Sequence, residues 1–344
     1  MNDLTHYALR FTSLMLTNHQ TALAQHHAYT LFGRLFLSGL TADLWPYVQQ
    51  VEELTAVLPP TFDTDEAAAT HQHLFGFNLF PYASIFLASD GLLGGDISAQ
   101  ANQHYRQAGF QVDTAATSPD HIGHALQFLA FLCGAEADAW RDDLAHVAAR
   151  MRQLQGQFLQ THLLHWIFAL ETAVSAQQTL FYSQLASLTV QLVSEHATAL
   201  EQQLRTIPLS SMALPTPPDL LAQEKTGLRR IARYLTIPPY SGLFLSRDHI
   251  GRLARQLDLP RGFGSREQML ENLLQTTVQY DLLPTLLALL DQTCQAWHDD
   301  LDRYAATFPT HVSPWLQRLK LTQTMLAQIE EQAINLQSEA QEDL

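Results

Sequence analysis

Apolar residues recur at helical spacing along nearly all of this 344-residue chain, and the strict alternation that makes strands is almost absent. Leu126, Leu129, Leu132 and Cys133 share one helical face, and Leu188, Leu192, Glu195 and Leu200 keep the same period on a longer, polar-backed segment. Trp140–Gln155 reads as one amphipathic run with Leu144, Val147, Met151 and Leu154 on one side. Helix starts are signalled twice. Ser118-Pro119-Asp120 puts a capping serine before a proline and an acid in the first turn. Ser265 to Gln268 has the spacing of a capping box. The expected fold class is all-α.

One segment interrupts this pattern. Ile207–Asp219 holds four prolines and no charge before its last residue, so a helix cannot run through it and an extended linker is expected. Residues 1–206 then form a helical domain and 220–344 a smaller helical domain, joined by the proline-rich linker 207–219. Helices are expected over Leu220–Leu235, Arg247–Leu257, Arg266–Gln279, Leu282–Tyr304 and Pro314–Ala340. A loop is expected over Thr236–Ser246, a turn over Gly91–Asp96, and a frayed end over Gln337–Leu344. Ser118–Gly123 and Ser246–Gly251 echo one another, which reads as two separately capped helix starts rather than a repeat.

Hydrophobic residues make up 47% of the chain, enough for a sizeable core, while charged residues make up only 15%. The formal charge of −15 disfavours nucleic acid, whose phosphates call for cations, and favours cationic partners. The imbalance is uneven: 18 acids face 7 Lys and Arg up to Thr206, and 16 face 12 beyond it. Cys133 and Cys294 sit in apolar or helical stretches without a CxxC pair, as buried thiols of a reducing compartment do. Met1–Arg10 has no apolar core of a secretory signal, and no apolar run approaches the length of a membrane span. A cytoplasmic protein is expected.

The sequence motifs of common enzymes are missing: there is no GxxxxGK[ST] loop, no GxGxxG after a strand, no GxSxG elbow and no HExxH. Among 16 histidines, His121 with His124 and His162 with His165 have i, i+3 spacing, which could chelate a metal. Neither pair has a third ligand fixed by sequence, so no metal and no catalytic residue is assigned. A histidine-rich helical metalloprotein or hydrolase stands as one alternative, and a helical scaffold or regulatory protein as another. The stretch Lys225–Arg266 is basic, with nine Lys and Arg against two acids, and includes Arg229-Arg230. It reads as a solvated face or a dock for an acidic surface.

Four elements, in order over residues 31–204, resemble the TorD-like family of redox-enzyme maturation chaperones, which includes the DmsD and NarJ groups. His71-Gln72-His73-Leu74-Phe75 resembles an aromatic-x-x-Leu-Phe element with His71 in the aromatic position. Phe80-Pro81-Tyr82-Ala83-Ser84 resembles a Pro-Tyr-x-Ser segment. Tyr105–Phe110 followed by Ser118-Pro119-Asp120-His121 is similar to a Glu-Pro-x-Asp-His signature, with Ser118 near the glutamate position and no spacer after Pro119. Phe158-Leu159-x-x-His162-Leu163-x-x-Trp166 resembles a later family helix.

The resemblance implies a TorD-like helical domain, no enzymatic activity and no bound cofactor. It implies a chaperone that binds the twin-arginine signal peptide and the apo-form of a molybdopterin oxidoreductase, assists cofactor insertion and delays export. Within it, the loop and helix start at Pro119, Asp120 and His121 is the expected binding element, with Asp120 near the surface, where it would attract the arginines of the peptide. Leu74, Phe75, Tyr82, Phe86, His162 and Trp166 would line or support the apolar part of the site. A monomer or a helix-swapped dimer is compatible with the linker.

Overall fold

In the computed structural model, residues 17–113, 117–203, 213–220 and 227–342 are described, with side chains up to residue 333. Met1–Arg10, and residues 207–212 of the expected linker, lie outside them. The chain divides into two compact units, Met1–Ser84 with Leu92–Ser210, and Ile85–Gly91 with Ser211–Leu344. The fold is all-α: among the described residues the only β feature is an isolated bridge.

The first unit begins with α1 (Asn18–Ser38), whose start is a capping box between Thr17 and Gln20. Short helices α2 (Trp45–Val48), α3 (Glu52–Thr55) and α4 (Thr64–His71) follow, and α4 passes directly into a π-helical stretch, Gln72–Asn78. Then come the start of α5 (Ala83–Leu87), whose residues from Ile85 on belong to the second unit, and α6 (Gly95–Gln107), α7 (Ile122–Arg141) and α8 (Ala145–Thr161). A 3₁₀ turn, Leu163–His165, leads to α9 (Ile167–Ser175) and α10 (Leu180–Gln203).

The core of this unit is the pairing of α1 with α7, flanked by α8, which also meets α10. Gly33 and Gly123 make that pairing close. A Cβ on Gly123 would stand 2.4 Å from Leu37 Cγ and 2.8 Å from the Gly33 carbonyl oxygen. His26 Nδ1 donates to the Ala130 carbonyl at 2.8 Å, and the Gln127 amide to the Thr30 carbonyl at 3.2 Å, fixing the register.

Two local expectations are corrected here. Trp140–Gln155 is not one helix: α7 stops at Arg141, Asp143 takes a left-handed φ of 56°, and Leu144 N–H returns to the Ala139 carbonyl at 2.8 Å. Leu144 is consequently exposed. Nor does Ser118 cap α7. The N-cap is His121, whose Nδ1 accepts the Gly123 N–H at 3.0 Å. Ser246 does cap its own helix, so the two echoed segments are used differently.

The second unit contains α11 (Leu228–Thr236), α12 (Pro238–Ser241), α13 (Arg247–Gln256), α14 (Arg266–Gln279), α15 (Leu283–Ala305) and α16 (Pro309–Glu342). The expected capping box at Ser265 and Gln268 opens α14. Thr236–Ser246 is not simply a loop. Pro238 and Pro239 start the turn of α12, where missing N–H groups cost nothing, and Leu243, Phe244 and Leu245 are fully buried. Helix α16 begins before Pro314, which lies inside it, and continues to Glu342 through the stretch expected to fray. Packing runs α11 on α14, α13 on α14, and α15 along α16.

Candidate peptide-binding site

The second and third resembling elements meet in space. Tyr82 and His121 form the antiparallel bridge: Ile122 N–H donates to the Pro81 carbonyl at 2.9 Å and Ala83 N–H to the Asp120 carbonyl at 3.0 Å. Around it lies a knot of side-chain bonds. Asp120 Oδ2 accepts the Ser84 N–H at 2.9 Å, and Oδ1 accepts the Ser118 hydroxyl at 2.5 Å. Ser118 also meets the Ser98 hydroxyl of α6 at 2.8 Å, Ser84 Oγ accepts the Gly94 N–H at 3.0 Å, and the Tyr105 hydroxyl donates to the Pro119 carbonyl at 2.9 Å. Asp120 thus joins strands of chain 36 residues apart to the start of α7.

The expectation that Asp120 lies near the surface is corrected: its exposure is 0%. Both carboxyl oxygens face inward, because Ser84 and Ser118 are the donors that satisfy them. His121 is buried as well. It stands edge-on to Tyr82, with centroids 4.8 Å apart. Accepting at Nδ1 leaves its proton on Nε2, and burial, helped by His124 and His71, pushes its pKa down to about 3. Pro119 and Tyr82 are half-exposed.

His71, Leu74 and Phe75 enter the core from α4 and the π-helix. His71 Nε2 donates to the Phe36 carbonyl at 3.0 Å, and its ring lies 5.3 Å from Phe75 and 5.9 Å from Tyr182. An imidazole therefore takes an aromatic's place in the cluster while meeting a carbonyl that phenyl could not. Burial lowers its pKa, against the effect of that carbonyl. The wider π-helical turn carries Leu74 and Phe75 inward and leaves Phe77 exposed.

His162 ends α8 and Trp166 ends the 3₁₀ turn; both are buried. The His162 ring lies 5.1 Å from Phe158 and 6.4 Å from His104, and its Nε2 has no hydrogen-bond partner among the described residues. Burial, with His104 and His165, pushes its pKa down to about 3. Phe86 stands apart from the other candidates. It belongs to the second unit, where it stacks on Phe244 with centroids 5.7 Å apart.

A buried polar chain escaped sequence reasoning. Glu136 of α7 is 3% exposed and accepts from Arg152 Nε at 2.6 Å, Gln155 Nε2 at 3.0 Å and Trp140 Nε1 at 3.0 Å. Since the Gln155 amide nitrogen serves Glu136, its oxygen faces His196 Nε2 at 3.2 Å and must accept. His196 Nδ1 then accepts the Tyr29 hydroxyl at 2.9 Å. Four helices, α1, α7, α8 and α10, are tied by this line, with burial and then Arg152 pushing the His196 pKa down to about 3. The signal for it was a glutamate inside the apolar face of Phe128–Ala139.

Among the described residues no three His, Cys, Asp or Glu gather as a metal-ion shell, and no helix is long and apolar enough to cross a membrane.

Residues 42–171 match the sequence profile of the family described as nitrate reductase delta subunit. The chaperone protein TorD of Vibrio vulnificus (strain YJ016) is 31% identical over 142 residues, which cover 39% of this chain and 65% of that protein. This chain thus spans just under two thirds of the relative's length. No solved structure matches. The family match spans both sides of the Tyr82–His121 bridge, and over residues 42–171 the chain is similar to the nitrate reductase delta subunit family.

Proposed function

We propose that this protein is a cytoplasmic, non-enzymatic maturation chaperone that binds the twin-arginine signal peptide and the apo-form of a molybdopterin oxidoreductase. It would hold that client until the cofactor is inserted and so delay export. The observation that carries this reading is the match of residues 42–171 to the delta-subunit family, beside the 31% identity of part of the chain to a TorD chaperone.

The geometry supports a division of labour. Asp120, His121, Leu74, Phe75, His162 and Trp166 are buried, and on this reading they shape the site from below. Pro119 and Tyr82 are half-exposed beside them, and Phe77 is exposed on the π-helix. The arginines would be received by exposed carboxyl groups rather than by Asp120. Asp96 opens α6 two residues before Ser98, and Asp113 is close enough to act on His124. An acidic first unit also steers a basic peptide toward it.

The test is calorimetric titration of the full chain with a peptide of two adjacent arginines followed by an apolar stretch, and with its twin-glutamine version. Saturable binding of the first, weakened by salt and by the glutamines, is expected. Equal binding of both peptides, or of neither, would sink the proposal.

A further inference from the structure

The second unit holds a concentration of arginine that the chaperone reading does not use, outside residues 42–171. Arg247 and Arg266 are the first residues of α13 and α14, following the capping serines Ser246 and Ser265. The two helix starts converge, because Arg266 Nη1 donates to the carbonyl of Leu245, two residues before Arg247, at 3.2 Å. The Arg266 guanidinium lies over a buried ring, its Cζ 4.3 Å from the Phe244 centroid, and Phe244 is backed in turn by Phe86. Its position is set by that ring and by one carbonyl rather than by an acid.

The neighbouring acids are already engaged. Asp248 pairs with Arg261, and Glu267 with Arg229 at 3.6 Å. Among the described residues no carboxyl group accepts from Arg247 or Arg266. Burial, and then Arg247, lowers the Arg266 pKa to about 10, as expected where one cation is held beside another. A held guanidinium, Arg266, beside a second, Arg247, without an acid between them is an unbalanced charge that a doubly charged oxyanion would balance, and guanidinium forks match phosphate oxygens in pairs. Three residues before Arg266, Phe263 is 93% exposed on a turn between Gly262 and Gly264, whose φ values are 73° and 115°. That ring is an open aromatic face beside the arginines in sequence.

We propose that Arg247 and Arg266 form a binding site for the phosphate group of an organic phosphomonoester, with Phe263 available to its organic part. This site does not rest on the chaperone reading, and either can fail alone.

The full chain is titrated calorimetrically with inorganic phosphate and with phenyl phosphate, and vesicles containing phosphatidic acid form a third arm. One saturable site is expected, with phenyl phosphate bound more tightly than phosphate and that advantage lost in Phe263→Ala. Arg247→Gln should weaken binding by about tenfold or more, and Arg266→Lys, which keeps the charge but loses the fork, should also weaken it. Arg255→Gln, an exposed arginine of the same helix, should change it by less than about twofold. Vesicle binding that phenyl phosphate displaces would support the site and name a lipid headgroup as its source. Vesicle binding that is not displaced, absence of saturable phosphate binding, or equal losses in Arg247→Gln and Arg255→Gln would overturn the proposal.

Discussion

Replacing Asp120 should unfold the first unit before it does anything else. In Asp120→Ala the Ser84 N–H, buried and 2.9 Å from Oδ2, loses its acceptor, and so does the Ser118 hydroxyl. A buried donor left unpaired costs about 1–3 kcal/mol, and the hydroxyl can turn to Ser98, so the expected loss is about 3 kcal/mol. Asp120→Asn is the informative companion. Its carbonyl can still accept from Ser84, while its amide can donate to Ser118 Oγ once that hydroxyl points to Ser98. Its cost should be about 1 kcal/mol. Urea unfolding of the three proteins, read by circular dichroism at constant slope, measures both differences. An Asp120→Ala protein within about 0.5 kcal/mol of the parent would refute the claim that this carboxyl group holds the bridge together.

Gly123→Ala should cost about 1–3 kcal/mol, because the new methyl meets Leu37 and the Gly33 carbonyl where α1 and α7 cross; an unchanged urea midpoint would show that the crossing can relax. Acid should destabilise the first unit well above the carboxyl range. His121, His162 and His196 are held near pKa 3 by burial but take up protons at 6.5 when unfolded, so the stability present above pH 6.5 drains as pH falls toward 3. At pH 5.5 each costs about 1.4 kcal/mol, roughly 4 kcal/mol together, and a urea midpoint that stays constant from pH 7.5 to 5.5 would refute the assignment.

What the sequence made legible was whatever depends on near neighbours. The 3.6-residue period places Leu126, Leu129, Leu132 and Cys133 inside α7, and the Ser265–Gln268 box opens α14 as its spacing implies. What it hid depends on partners far along the chain or on backbone detail. A serine before a proline reads as a helix cap, but Ser118 bonds to Asp120 and Ser98 instead, leaving His121 to cap α7. An acid after that proline reads as exposed, yet its acceptor is claimed by Ser84, 36 residues earlier. The π-helix at Gln72–Asn78 has no residue signature of its own, and the assignment of Ile85–Gly91 to the second unit is a matter of tertiary contact alone.

These corrections change how the resembling motifs are to be understood. The side chains of Ser84, Ser118, Asp120 and His121 are spent largely on the knot around the bridge, whose hydrogen bonds close within the chain. A residue so engaged cannot also offer its donors and acceptors to a peptide without breaking the bridge that positions it. The motif therefore specifies the fold of the loop preceding α7, and on the proposed function selection among clients would fall to side chains that the fold leaves open. On the proposed function those are Tyr82 and Pro119 at the edge of the knot, Phe77 on the π-helix, and the carboxyl groups of Asp96 and Asp113. Substituting Asp96 and Asp113 together by asparagine should then weaken a twin-arginine peptide while leaving the urea midpoint in place, the reverse of the pattern expected for Asp120.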